Sequence, residues 1–309
     1  MINFRYHVVS LTAVFLALAV GMVLGTAALN GPVTEDLYSE AQSLRKSNGQ
    51  LRDQIAAMED ELAGREEYVK EAAPLLLDGK LASKKVVLVA MPGAEKSTLD
   101  AVAQNVRLTG ATLTGRVRFT DRFIDPVRRE DARDLATRLL PPEVKDVPSD
   151  ADGVTASAVL FGAVLLTHKP AVASEDRTAV LTGYQAETLI APDKKITQPA
   201  DGMIIVTDLP ATEQDATERN TAVSAAVEQF GRAGPVVVAA PGAGGEGNPV
   251  AALRADPAQR KTLSTVDNAN TSLGQLSAVL ALVQRISDHK TGHYGIHDGA
   301  QSRIPKPAT

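Results

Sequence analysis

Residues 8–29, VVSLTAVFLALAVGMVLGTAAL, carry no charged side chain and show no polar face at helical spacing. A helix of these 22 residues is about 33 Å long, the thickness of a bilayer core. The segment is expected to be an uncleaved transmembrane anchor. A cleaved signal peptide is the rival, with small residues at Thr26, Ala27 and Ala28. However, the apolar run is longer than a secretory core and lacks a strongly basic start. Arg5 precedes the span, and Glu35, Asp36 and Glu40 follow it. This charge pattern favours residues 1–7 as a short cytoplasmic tail, with the bulk of the chain extracytoplasmic. Ala13, Ala17, Gly21 and Gly25 recur every four residues, which is the spacing of a close helix-helix contact in a membrane. Small residues are also simply common in such helices.

Past Gly31 and Pro32 the pattern changes to heptads. Leu37, Leu44, Leu51 and Met58 are seven apart; Ala41, Asn48, Ile55, Leu62 and Val69 form a second series four residues on. These are d and a positions of one register, and charges such as Arg45, Lys46, Arg52, Asp53 and Glu59 fill the space between. A coiled coil is expected over residues 34–72, a rod reaching roughly 50 Å from the membrane. Leu at d with Ile and Val at a suits a parallel homodimer, and a lone Asn48 at a would fix register and strand number. Arg65 at the last d position marks where the seam frays. The alternative is a single amphipathic helix lying on its own domain.

From residue 84 the period is that of strand, turn and helix. The runs VVLVAM, MIIVTDL and VVVAA each end in a turn containing Pro92, Pro210 or Pro241. Short all-apolar strands alternating with helices predict an α/β domain over residues 84–295, a parallel, Rossmann-like sheet covered on both faces. A further strand fits residues 112–119. Helices fit 96–108, 125–140, 151–167, 174–190, 213–231 and 271–288, and residues 296–309 read as a flexible tail.

The third strand leads into GAGGEG, residues 242–247, with Asp267 twenty residues further on. Taken alone this is a dinucleotide-binding pattern. Its context argues against that reading. Asn248 and Pro249 follow at once, the next helix is cut off by Asp256-Pro257, and Asp267 sits in polar text rather than visibly at a strand end. A turn widened by glycine is the plainer reading, and a small ligand would sit at the strand ends near Pro92, Pro210 and Pro241.

Composition narrows the chemistry. The chain has no Cys and no Trp, aromatic residues make up 4%, and the net charge is −5. Thiolate metal sites, disulfides, Cys nucleophiles and a nucleic-acid partner are therefore not expected. No nucleophile elbow, zinc-protease motif or Walker loop is present, so the chain is expected not to be an enzyme and to need no cofactor. Copper(I) prefers sulfur, then imidazole. The methionines are scattered, so the copper candidates are His289, His293 and His297. They are four apart, but Gly292 and Gly295 interrupt them and make an exposed polar tail the plainer reading.

Two end motifs carry a resemblance. The start, INFRYHVVSLTAVFLALAVGMVLG, and the end, with VDN, LGQ and TGHYG (Asp267, Asn268, Gly274, Gly292, Tyr294 and Gly295), resemble the actinobacterial MctB/SteB family over essentially the whole chain. The resemblance implies one of two roles. MctB-like members are copper-export proteins of the mycobacterial envelope, sometimes described as outer-membrane pores. SteB-like members are division proteins that partner the membrane protein SteA and promote activation of a cell-wall hydrolase. An anchored dimeric rod favours a scaffold of the second kind, with Leu37, Leu44, Asn48, Leu51, Ile55, Met58 and Leu62 as the interaction surface. Copper homeostasis is the alternative.

Overall fold

The computed structural model describes residues 4–29 and 32–306. Expectations that fall on residues 1–3, on Gly31 and on residues 307–309 lie outside the described residues. The chain divides into two units, Met1–Gly64 and Arg65–Thr309.

In the first unit, α1 (Phe4–Leu29) is long and apolar enough over Phe4–Ala27 to cross a membrane. A methyl added at Gly21 or Gly25 would meet nothing within 4 Å. Helix α2 (Pro32–Leu77) follows, and its turns from Arg65 onward belong to the second unit. Leu37, Leu44, Leu51, Ile55, Met58 and Leu62 are all more than half exposed in the single chain.

The second unit is built on β1 (Lys85–Ala90), α3 (Lys96–Leu108), β2 (Thr112–Phe119), α4 (Arg129–Arg138), α5 (Gly153–Leu165), α6 (Ser174–Ala186) and β3 (Ile190–Lys194). It continues through β4 (Gly202–Val206), α7 (Ala216–Ala233), β5 (Val236–Ala239), α8 (Pro249–Ala255), β6 (Ser264–Val266), α9 (Ser272–Ser287) and β7 (His293–Tyr294). The sheet order is β3-β2-β1-β4-β5-β6-β7. Every pairing is parallel except β2 with β3. The expectation of a wholly parallel sheet is corrected at that edge. Pro192 within β3 has no N–H to give an inner ladder, so the strand suits an edge position.

Strands β1, β4 and β5 read as nearly unbroken apolar runs because successive residues enter opposite cores. Val86, Leu88 and Ala90 face α3, α9 and Leu77 at the end of α2. Val87, Val89 and Met91 face the other layer, with Phe161, Tyr184 and Phe230. That second core centres on Phe119, whose ring stands 4.3 Å from Phe123 and 5.0 Å from Phe161. Each such side chain contributes about 1.5–3 kcal/mol by leaving water.

The chain leaves β1 toward β2 on one side and returns to β4 on the other. The carboxyl ends of β1 and β4 are therefore a topological switch point, where helices diverge and open a crevice.

Candidate functional site

Two places in the second unit gather chemistry. The first is the carboxy-terminal motif. Asp267 directly follows β6, which corrects the expectation that it lies in a loop away from any strand; β6 is three residues long and too polar to read as one. The Asp267 side chain is fully buried. It accepts hydrogen bonds from Nη1 of Arg254 at 2.6 Å, from the amide of Ile296 at 2.8 Å and from Nδ1 of His297 at 3.1 Å. Burial pushes the carboxyl up, but the amide of Ile296, the Arg254 guanidinium and the His297 ring outweigh it and hold it below its ordinary value.

Arg254 extends the network. Its Nη2 donates to the carbonyl of Tyr294 at 2.8 Å and its Nε to the hydroxyl of Thr265 at 2.9 Å. Arg254 is the residue that sequence reading missed. Its only signal is a lone guanidinium on the short apolar helix PVAALRA.

The glycines of the motif are steric. At Gly295 (φ +131°) a Cβ would stand 2.1 Å from Oδ1 of Asp267. At Gly274 it would stand 1.9 Å from the carbonyl oxygen of Asn268, and at Gly292 2.0 Å from the Tyr294 hydroxyl. Gly292 and Gly295 lie beyond the preceding helix rather than at its end. Helix α9 stops at Ser287, and the two glycines bracket β7. Thr271 caps α9 by accepting from the amide of Gly274 at 3.1 Å. Asp267 thus forms a buried ion pair with Arg254 that Tyr294 and Gly295 touch directly, while Gly274 packs on Asn268 and Gly292 on the Tyr294 ring.

The three histidines have different fates. His293 is 1% exposed, which corrects the expectation of an exposed tail. Its Nε2 donates to the Arg260 carbonyl at 3.2 Å, so its Nδ1 accepts from Thr265 at 2.9 Å. Both ring nitrogens are occupied, and burial pushes the imidazole down toward the neutral form. His297 is 41% exposed at its side chain. The Asp267 carboxylate can only accept, so Nδ1 of His297 carries a proton. His289 is exposed in a left-handed conformation just past α9. Among the described residues no group of three or more His, Asp or Glu side chains is placed to hold a metal ion.

The second place is the switch-point crevice, about 580 Å³ in volume, lined by Met91, Gly93, Asp121, Thr207, Asp208 and Arg219 among others. The glycine loop packs beside it. At Gly245 a Cβ would come 2.9 Å from Pro210, and at Gly247 2.8 Å from Asn220. Asn248 accepts from the amides of Val250 at 2.9 Å and Ala251 at 3.2 Å, and donates to the carbonyls of Gly242 and Gly244. The amides that a phosphate would need at the start of α8 are already taken, and α8 is only seven residues long. The G-x-G-x-x-G spacing is therefore a capped turn.

Comparison with known proteins adds a whole-chain correspondence. The family described as "Copper transport outer membrane protein, MctB" matches residues 1–305. The proteins named copper transporter MctB from Mycobacterium bovis and Mycobacterium tuberculosis are each 29% identical over 312 residues, covering 98% of this chain and 98% of theirs. The protein of the same name from Mycobacterium leprae is 29% identical over 315 residues, with the same coverage.

Proposed function

The chain belongs to the MctB family, and from that premise we propose that it is a membrane-anchored envelope protein acting in copper transport or homeostasis. The observation that carries this reading is the extent of the match. It runs from the apolar first helix to the last strand and its following turn, so relatives named as copper transporters correspond to the whole architecture and not to one module. The division role, with a SteA-like partner and a cell-wall hydrolase, draws no support from these relatives, and the copper reading takes its place.

In this reading α1 holds the protein in a membrane, with the α/β unit extracytoplasmic; the family description points to the outer membrane. Copper is cargo. His297 is the side chain best prepared to meet it, because its Nδ1 is tied to Asp267 and its side chain is 41% exposed. One imidazole makes a weak, transient contact, which suits passage better than storage. The stripe of Leu37, Leu44, Leu51, Ile55, Met58 and Leu62 supports pairing of α2 with a second copy, since a row of exposed apolar side chains at heptad spacing buries itself against its twin. No bond-making chemistry is required, and the protein is read as non-enzymatic.

The test is cellular copper. Deleting the gene in its host should raise copper accumulated after a copper challenge several-fold, measured by mass spectrometry of washed cells. The full chain should restore the level, and a chain lacking residues 1–29 should not. Unchanged copper in the deletion strain would refute the reading.

A further inference from the structure

The crevice at the carboxyl ends of β1 and β4 has no part in the copper reading, and three observations converge on it. The first is topological. Open α/β sheets bind ligands where strand order reverses, and the volume of about 580 Å³ is that of a small-molecule site.

The second is an orphan. Thr207, directly after β4, lines the crevice and is 2% exposed, yet its hydroxyl has no hydrogen-bond partner among the described residues. Buried hydroxyls are ordinarily bonded, so an unpaired one on a cavity wall marks a place for a missing partner.

The third is charge. Asp121, Asp208 and Glu213 line the crevice against one cation, Arg219. Arg219 is already held by Asp215 at 3.1 Å and lies 3.9 Å from Asp121. Asp208 uses Oδ1 to accept from the amide of Leu209 at 2.8 Å. Its Oδ2 stands 2.7 Å from where a Cβ of residue 93 would be, so glycine at that turn leaves this oxygen unshielded. A phosphate finds acid and capped amides here. A divalent ion finds no set of three ligating side chains among the described residues.

We propose that this crevice binds a small organic cation, a molecule of amino-acid size bearing a primary ammonium group. Asp208 supplies the counter-charge, the Thr207 hydroxyl accepts a hydrogen bond from the ammonium, and Met91, Pro210 and Val223 flank the carbon chain. The inference is independent of the copper reading.

The experiment is isothermal titration of the full chain in detergent micelles, at about 150 mM salt so that diffuse attraction is screened. Putrescine is the amine probe; phosphate and glutarate, which has no ammonium group, are the anion probes. Putrescine should bind saturably at one site per chain. Asp208→Asn should weaken it at least tenfold and Thr207→Val about tenfold. Thr207→Ser, which keeps the hydroxyl, and Asp288→Asn, away from the crevice, should leave it unchanged, with all variants melting as the parent does. No saturation below about 10 mM putrescine would overturn the proposal, as would preferential binding of phosphate or glutarate. Equal loss in Thr207→Val and Thr207→Ser, or affinity indifferent to Asp208→Asn, would overturn it as well.

Discussion

Replacing Asp267 by Asn tests whether the carboxy-terminal motif is held by its buried ion pair. The side chains of Asp267 and Arg254 are 0% and 3% exposed. Asparagine keeps the shape and can still accept from Ile296, but it leaves the Arg254 guanidinium buried without its counter-charge. Removing one partner of such a pair costs about 3–5 kcal/mol. For a unit of this size, each kcal/mol is worth roughly 2–4 °C, so the melting temperature should fall by about 6–20 °C. The pH dependence should change as well. The folded pKa of Asp267 lies below the unfolded value of about 3.9, so its stabilisation is present above about pH 4 and is lost as pH falls through the folded value. The Asn variant should show a flatter decline in that acid range. The assay is urea unfolding of the full chain followed by tyrosine fluorescence, which no Trp obscures. Arg254→Met combined with Asp267→Asn should recover at least half the loss. A single-variant loss below about 1 kcal/mol with an unchanged acid slope would refute the argument.

Gly295→Ala should be at least as damaging, by about 3 kcal/mol or more, because its Cβ falls on Oδ1 of Asp267 at a positive φ; a melting temperature within 2 °C or so of the parent would contradict this. For α2, Asn48→Leu should shift the solution mass away from a dimer by light scattering, since a buried Asn at an a position penalises other strand numbers; an unchanged dimer would remove that role from Asn48. His293 predicts a slope near neutrality. Its burial lowers the folded pKa, so below about pH 6.5 the unfolded chain binds the extra proton and stability falls as pH drops. Urea titrations at pH 7.5 and 5.5 should show that decline, reduced in His293→Asn.

What the sequence made legible follows physical lines. Strands β1, β4 and β5 were readable because each sends alternate residues into two cores and is apolar nearly throughout, and β2, TLTGRVRF, because polar residues alternate with Leu113, Val117 and Phe119. Strands β6 and β7 were not, being three and two residues long and carrying Ser264, Thr265 and His293. A small ligand was expected at the strand ends near Pro92, Pro210 and Pro241; Pro92 and Pro210 line the crevice and Pro241 does not. The glycines of the motif were visible as letters, but their reason, contact with Asp267, Asn268 and Tyr294, exists only in three dimensions. Arg254 lies outside the motif, and no spacing rule connects it to Asp267. The exposed-tail reading failed for His293 because burial and hydrogen bonding, not sequence interval, decide the fate of each imidazole. His293 spends both nitrogens on Thr265 and Arg260, and His297 spends one on Asp267.

The clamp around Asp267 also sets a timetable. Arg254 and Asp267 are synthesised well before Tyr294 and Ile296, whose carbonyl and amide complete their coordination, and Gln301 and Ser302 then bond back to β7. A nascent chain that has emerged only as far as α9 holds two charges with no finished site to bury them in. The α/β unit is therefore closed by its final residues, like a bolt shot last, and a chain broken off before residue 295 would be left open and exposed to proteases.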